Sequence, residues 1–187
     1  MFFQDARADR VKKAIKSYPD FPKAGINFLD IFPIFQDQGT INDCVALMTE
    51  EIQKRFLNGG EKIDAIIGLE SRGFIFGILI STHFKVPFIP IRKAGKLPGE
   101  CSKYSYDLEY GSATLELQKS ALKPGSKVVI IDDVLAIGGT MSAAAKLCQE
   151  ASMEILGAGV LLQIVPCNGG RRLDEMNLKW FSILHFD

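Results

Sequence analysis

Short apolar runs and longer stretches of three-to-four-residue periodicity alternate along the chain. Residues 63–67, 86–91, 128–131, 155–164 and 180–186 are predominantly apolar and rich in branched or aromatic side chains, the pattern of buried strands. Between them, residues 73–84 and 139–151 read as helices. An earlier helix places Ile41, Val45, Met48, Ile52 and Phe56 on one face, with Thr40 as its cap and Gly59-Gly60 as its stop. Residues 7–18 form a short amphipathic helix with Val11, Ala14, Ile15 and Tyr18 on one side, ended by Pro19. Residues 19–36 mix Pro19, Pro22, Gly25 and Pro33 with Phe21, Ile26, Phe28, Ile31 and Phe32, an irregular segment apolar enough to cover something. Residues 104–109 and 113–118 flank Gly111-Ser112 as a hairpin, and Lys123-Pro-Gly-Ser126 is a turn. Strands alternating with helices predict an α/β fold with a mostly parallel sheet flanked by helices. Its site should lie beyond the carboxyl ends of the strands.

Composition narrows the functional classes. A chain of 187 residues with 47% hydrophobic content suits one domain, residues 1–187. Lys plus Arg equals Asp plus Glu at 22 each, which argues against a nucleic-acid partner or an anionic membrane surface. No apolar run reaches the roughly 18 residues of a membrane span. Residues 1–20 carry mixed charge and no apolar leader core, so a cytoplasmic location is expected. Cys44, Cys101, Cys148 and Cys167 lack metal-type spacing and read as reduced thiols; His83 and His185 are too far apart to suggest a zinc site.

The strongest chemical signal is Val128-Val-Ile-Ile-Asp-Asp-Val-Leu-Ala-Ile-Gly-Gly-Thr140. An apolar strand runs into Asp132 and Asp133, and a loop of small residues then opens a helix. Gly138 and Gly139 let backbone approach a ligand closely. The helix start offers unpaired N–H groups and a positive dipole end to a phosphate, and Thr140 adds a hydroxyl. Asp132 and Asp133 can accept hydrogen bonds from sugar hydroxyls or hold magnesium-bound water. The spacing is not that of a Walker loop, since no Lys precedes Thr140. A phosphate on one side and two acids on the other describe a phosphorylated sugar. Arg72, Arg92, Lys93 and Lys96 supply cations for a second, denser anion.

With these residues the chain resembles the type I phosphoribosyltransferases, and within them those specific for adenine. Tyr18-Pro-Asp-Phe-Pro-Lys-Ala-Gly25 is similar to their hood segment, here placed at about 19–36. Gly68-Leu-Glu-Ser-Arg-Gly73 resembles their pyrophosphate loop. Ile91-Arg-Lys-Ala-Gly-Lys-Leu-Pro98 and Tyr104-Ser-Tyr-Asp-Leu-Glu-Tyr-Gly111 resemble the two ends of their mobile catalytic loop, about 93–110. The resemblance implies transfer of the 5-phosphoribosyl group of phosphoribosyl pyrophosphate to adenine, giving AMP and pyrophosphate, with magnesium and as a homodimer. It assigns catalysis to Glu109 and Arg72, the sugar phosphate to Asp132, Asp133, Ala136, Ile137, Gly138, Gly139 and Thr140, and pyrophosphate to Glu70, Ser71, Arg72, Arg92, Lys93 and Lys96. The base falls to Ile26, Asn27, Leu29, Val134 and Tyr110. Two positions depart from the pattern: Ile137 stands where a Thr is usual, and Leu29 where many members carry Arg. They leave open the same fold with weakened or lost activity, or a different base.

Overall fold

The structure is a computed structural model that describes residues 5–107 and 112–187. Helix α1 (Ala6–Ala14) is capped by the Asp5 carboxylate, which accepts the Arg7 N–H. The periodicity that predicts helix up to residue 18 stops at Ile15, whose backbone is already extended. Strand β1 (Lys16–Pro19) then pairs antiparallel with β2 (Asn27–Asp30), Lys16 opposite Asp30 and Pro19 opposite Asn27. The segment expected to be irregular is therefore partly a hairpin, because ladder hydrogen bonds to β2 replace those of one more helical turn. A 3-10 turn (Phe32–Gln36) leads to α2 (Gln38–Phe56). The cap of α2 is Asp37, not Thr40: one Asp37 carboxylate oxygen accepts both the Thr40 N–H and its hydroxyl at 2.7 Å. A carboxylate satisfies two donors there, so the helix starts earlier than the apolar pattern suggests.

The main sheet contains β3 (Ala65–Leu69), β4 (Phe88–Lys93), β5 (Cys101–Asp107), β6 (Ser112–Gln118), β7 (Lys127–Leu135), β8 (Glu154–Ile164) and β9 (Trp180–Phe186). Their order is β5-β6-β4-β3-β7-β8-β9. The five strands from β4 to β9 are parallel neighbours, and β6 and β5 add an antiparallel edge. Residues 101–107, expected to be part of a loop at 93–110, are thus largely a sheet strand. The hairpin turn at Gly111 lies outside the described residues.

Helices α3 (Gly73–Phe84), α4 (Gly139–Glu150) and α5 (Gly169–Glu175) complete the fold. Alternation along each strand splits the interior in two. Val128 and Ile130 of β7 face a core built with α4 and α5, including Ala144, Leu147 and Leu173. Val129 and Ile131 face the other, built from α1, α2 and α3 with Val11, Met48, Ile52, Phe76 and Ile80. Continuous apolar strands are what a sheet covered on both faces requires. The short α5 carried no periodic signal, since at seven residues only Gly169, Gly170 and Leu173 are buried.

Candidate active site

The sheet changes direction between β3 and β7: the chain leaves β3 through α3 to β4 on one side, while β7 flanks β3 on the other. A crevice must open at the carboxyl ends of such a pair. The loop after β3 and the loop after β7 both end there in a helix N-terminus. Neither α3 nor α4 has a side-chain cap. At α3 the Phe74 and Ile75 N–H groups already donate to the Ser71 and Arg72 carbonyls at 3.2 Å, so the uncapped start of α4 is the better placed to receive a ligand.

Close approach of the two loops depends on Gly73. A Cβ at that position would fall 2.7 Å from Asp132 Oδ1 and 2.9 Å from the Ile131 carbonyl, so no larger residue fits without displacing β7. This contact brings Arg72 to the acid pair. Arg72 Nε lies 2.8 Å from Asp133 Oδ2, and its guanidinium stands 5.6 Å from the centre of the Phe28 ring in the hood. Asp133 Oδ2 is buried, and the ion pair leaves it without an aligned hydrogen bond. Asp132 Oδ1 accepts the Asp133 N–H at 2.9 Å. The sequence reading set both acids just before the loop; they lie within β7, which extends to Leu135.

Burial pushes both carboxyls up: Asp132 well above the usual range, with the neighbouring Asp133 charge adding to it, and Asp133 less so because Arg72 opposes the shift. Asp132 keeps part of its surface open, which tempers the effect but not its direction. Burial disfavours the charged form of both acids, so donors supplied by a ligand would stabilise them as carboxylates.

Beyond the acids, Asp132, Val134, Leu135, Ala136, Ile137, Gly138, Gly139, Thr140 and Met141 line a cavity of about 170 Å³. Gly138 caps α4 with φ +76°, a conformation that favours glycine. The Tyr106 hydroxyl lies 3.3 Å from Thr140 Oγ1, tying β5 to the loop. Ile137 is 52% exposed, so its bulk faces the open side and offers no donor.

The expected pyrophosphate residues divide into two roles. Ser71 and Arg72 sit at the start of α3. Glu70 instead gathers cations: its carboxylate accepts from Arg92 Nε and Nη2 at 3.2 Å, from the Lys93 N–H at 3.0 Å, and from the Lys96 ammonium. Glu70 therefore holds Arg92, the Lys93 backbone and Lys96 together beside the crevice. Burial alone would raise its carboxyl, but Lys96, Arg92 and the Lys93 N–H bring it down to about 2. Glu116 performs a similar task one strand over, pairing with Lys103 at 2.8 Å and accepting the Gly95 N–H at 2.9 Å.

The hood forms a second cavity of about 410 Å³, lined by Tyr18, Phe21, Phe28, Asp30 and Phe32. Phe21 and Phe28 meet edge to face with centroids 5.2 Å apart. The base-binding residues expected here are mostly engaged elsewhere. The Ile26 N–H donates to Lys23 and its carbonyl accepts from Phe21, Asn27 Oδ1 accepts the Ser17 hydroxyl, and Leu29 packs into the α2–α3 core. Strand alternation explains this: with Leu29 inward, Phe28 faces the pocket. The signal was present as the aromatics of residues 18–32, but not which of them point together. Val134 does line the phosphate-loop cavity. Glu109 and Tyr110 lie outside the described residues.

The phosphoribosyl transferase domain matches residues 37–182. Adenine phosphoribosyltransferase from Mastomys natalensis is 43% identical over 177 residues, covering 95% of this chain and 96% of that protein. The human enzyme of the same name is 39% identical over 183 residues, covering 98% and 99%. The crystal structure of adenine phosphoribosyltransferase from Saccharomyces cerevisiae, complexed with an imino-altritol bisphosphate and adenine, is similar with a TM-score of 0.90 and 38% identity, covering 97% of this chain and 100% of that one. A parallel sheet whose switch point joins an acid pair, a phosphate-type helix start and a cation cluster needed a lineage to match, and these relatives supply it: the chain belongs to the phosphoribosyl transferase domain family.

Proposed function

We propose that this chain transfers the 5-phosphoribosyl group of phosphoribosyl pyrophosphate to adenine, giving AMP and pyrophosphate, a purine-salvage reaction. The observation that carries the reading is the convergence of Arg72, Asp132, Asp133 and the loop 136–140 at one switch point. In this reading the 5′-phosphate sits on the N–H groups of α4 and the Thr140 hydroxyl. The ribose hydroxyls donate to Asp132 and Asp133, giving the unaligned Asp133 oxygen a donor. Pyrophosphate lies against the start of α3 with Arg72, Arg92, Lys93 and Lys96.

A ring nitrogen of adenine forms the bond to the anomeric carbon as the carbon–oxygen bond to pyrophosphate breaks. The electron pair leaves with pyrophosphate, whose growing charge the cations stabilise. Adenine gives up its ring N–H proton, and Glu109 is the proposed acceptor. The aromatic hood over Phe28 is where the planar base would stack. Asp132 and Asp133 are hard oxygen donors suited to magnesium, but among the described residues no cluster of three metal-ligating side chains occurs. Magnesium is therefore read as arriving with the substrate, where it neutralises pyrophosphate charge. The reading includes a homodimer and a cytoplasmic setting; light scattering on the purified chain checks the former.

The test is AMP formation from adenine and phosphoribosyl pyrophosphate with magnesium, beside an Ile137→Thr variant. AMP from the wild type is expected, and a restored hydroxyl should lower the sugar-phosphate KM by about tenfold or more, the worth of one hydrogen bond to a charged group. Silence from both proteins with adenine, and AMP-like product from another base, would sink the assignment of adenine.

A further inference from the structure

The loop 136–140 offers backbone N–H groups and the Thr140 hydroxyl but no cation of its own. Two carboxylates precede it, and the guanidinium beside them, Arg72, is taken by Asp133 at 2.8 Å. A phosphate dianion placed there faces two acids with no cation of its own.

The start of α5 is built against this loop. A Cβ on Gly169 would lie 2.1 Å from the Ala136 carbonyl oxygen and 3.0 Å from the Gly138 N, and a Cβ on Gly138 would lie 3.0 Å from the Gly169 carbonyl. Backbone is packed directly on backbone, so α5 is fixed relative to the loop. Three residues on, Arg172 Nη1 lies 3.8 Å from the Cβ position of Gly139, the first residue of α4, and the Tyr106 ring lies 3.7 Å from the same point. Arg172 is exposed, and no carboxylate among the described residues pairs with it. Its neighbour Arg171 differs, pairing with Glu175 at 3.0 Å.

We propose that Arg172 is a binding residue for the 5′-phosphate of the sugar substrate, supplying the cation that the loop lacks. The inference deepens the phosphoribosyl-transfer reading and rests on it. A guanidinium suits the task because its planar fork can grip two phosphate oxygens and stays charged at any working pH. The glycine contact explains how a surface residue can be placed accurately: the helix that carries it cannot slide from the loop it serves.

The test is calorimetric titration of the full chain with ribose 5-phosphate, with unphosphorylated ribose as the control ligand, for wild type, Arg172→Gln and Arg171→Gln. Steady-state kinetics on the same proteins follow. Arg172→Gln should weaken ribose 5-phosphate by about tenfold or more, the loss of one charge-assisted bond, and Arg171→Gln should leave it unchanged. The KM for phosphoribosyl pyrophosphate should rise in parallel, with the KM for adenine and kcat retained. Equal losses in both variants would reduce the effect to general surface charge and overturn the proposal, as would wild-type affinity in Arg172→Gln. If no protein forms AMP but Arg172→Gln alone loses ribose 5-phosphate, the transfer reading fails and the phosphate contact stands.

Discussion

Gly169→Ala is a small change with a large expected consequence. The Cβ it adds would stand 2.1 Å from the Ala136 carbonyl oxygen, and reaching a tolerable 3.0 Å requires a shift of about 0.9 Å. Both sides of the contact are backbone, so no side chain can rotate away. The same Cβ would be 3.0 Å from the Gly138 N, so the strain falls on the loop proposed to hold the phosphate. Overpacking of this kind costs about 1–3 kcal/mol of stability. Misplacing a substrate-positioning loop by about 1 Å can cost on the order of a hundredfold in rate. The expected outcome is a modestly lower Tm and a much lower kcat/KM for phosphoribosyl pyrophosphate, while the KM for adenine changes little. The assay is steady-state AMP formation with each substrate varied, alongside thermal unfolding. Wild-type kinetics in Gly169→Ala would refute the idea that α5 braces the phosphate loop.

Glu70→Gln should free Arg92 and Lys96, raising the pyrophosphate KM in the reverse reaction. Because the Glu70 carboxyl is held at about 2 against an ordinary 4.5, the folded state gains from it above pH 4.5 and loses that gain as pH falls toward 2. The stability gap between wild type and Glu70→Gln should therefore be flat at neutral pH and close in acid; a gap unchanged down to pH 2 would contradict the network. Asp132 has the opposite sign. Its raised carboxyl favours the protonated folded state, so the stability it gives is complete below 3.8 and is lost as pH rises through the raised value. Asp132→Asn should melt at a higher temperature than wild type near neutral pH yet bind phosphoribosyl pyrophosphate more weakly; a lower Tm would count against the burial argument. In the wild type, affinity for the sugar phosphate should rise with pH as the pair ionises.

Much of this protein was legible in its sequence, for reasons of period and chemistry. The run at 128–131 is apolar at every position and that at 180–186 at all but Ser182 and His185, as strands covered on both faces favour, and they proved to be central and edge strands of one parallel array. The acid pair followed by Gly138-Gly139-Thr140 was legible as a strand end, small loop and helix start because each imposes a residue type, and the three meet in one cavity. Arg72 was legible as a cation, though not as the partner of Asp133. The tertiary structure alone decided everything that depends on which residues meet from distant segments. Helix periodicity ran through Tyr18, but pairing with β2 drew residues 16–19 into a strand. Glu70 has no local signal for its partners: two cations, Arg92 and Lys96, and the Lys93 backbone N–H converge on it only once β3 and β4 lie side by side. Leu29 and Phe28 are neighbours in sequence, and only the facing of β2 sends one to the core and the other to the hood cavity. Arg172 had no local signal at all: its position beside the phosphate loop comes from two glycine backbones in contact across 31 residues of chain, Gly138 to Gly169. Local periodicity and turn chemistry are written in neighbouring residues. Contacts between distant segments exist only once the sheet has set their distance, and there the composition of each segment says nothing about its partner.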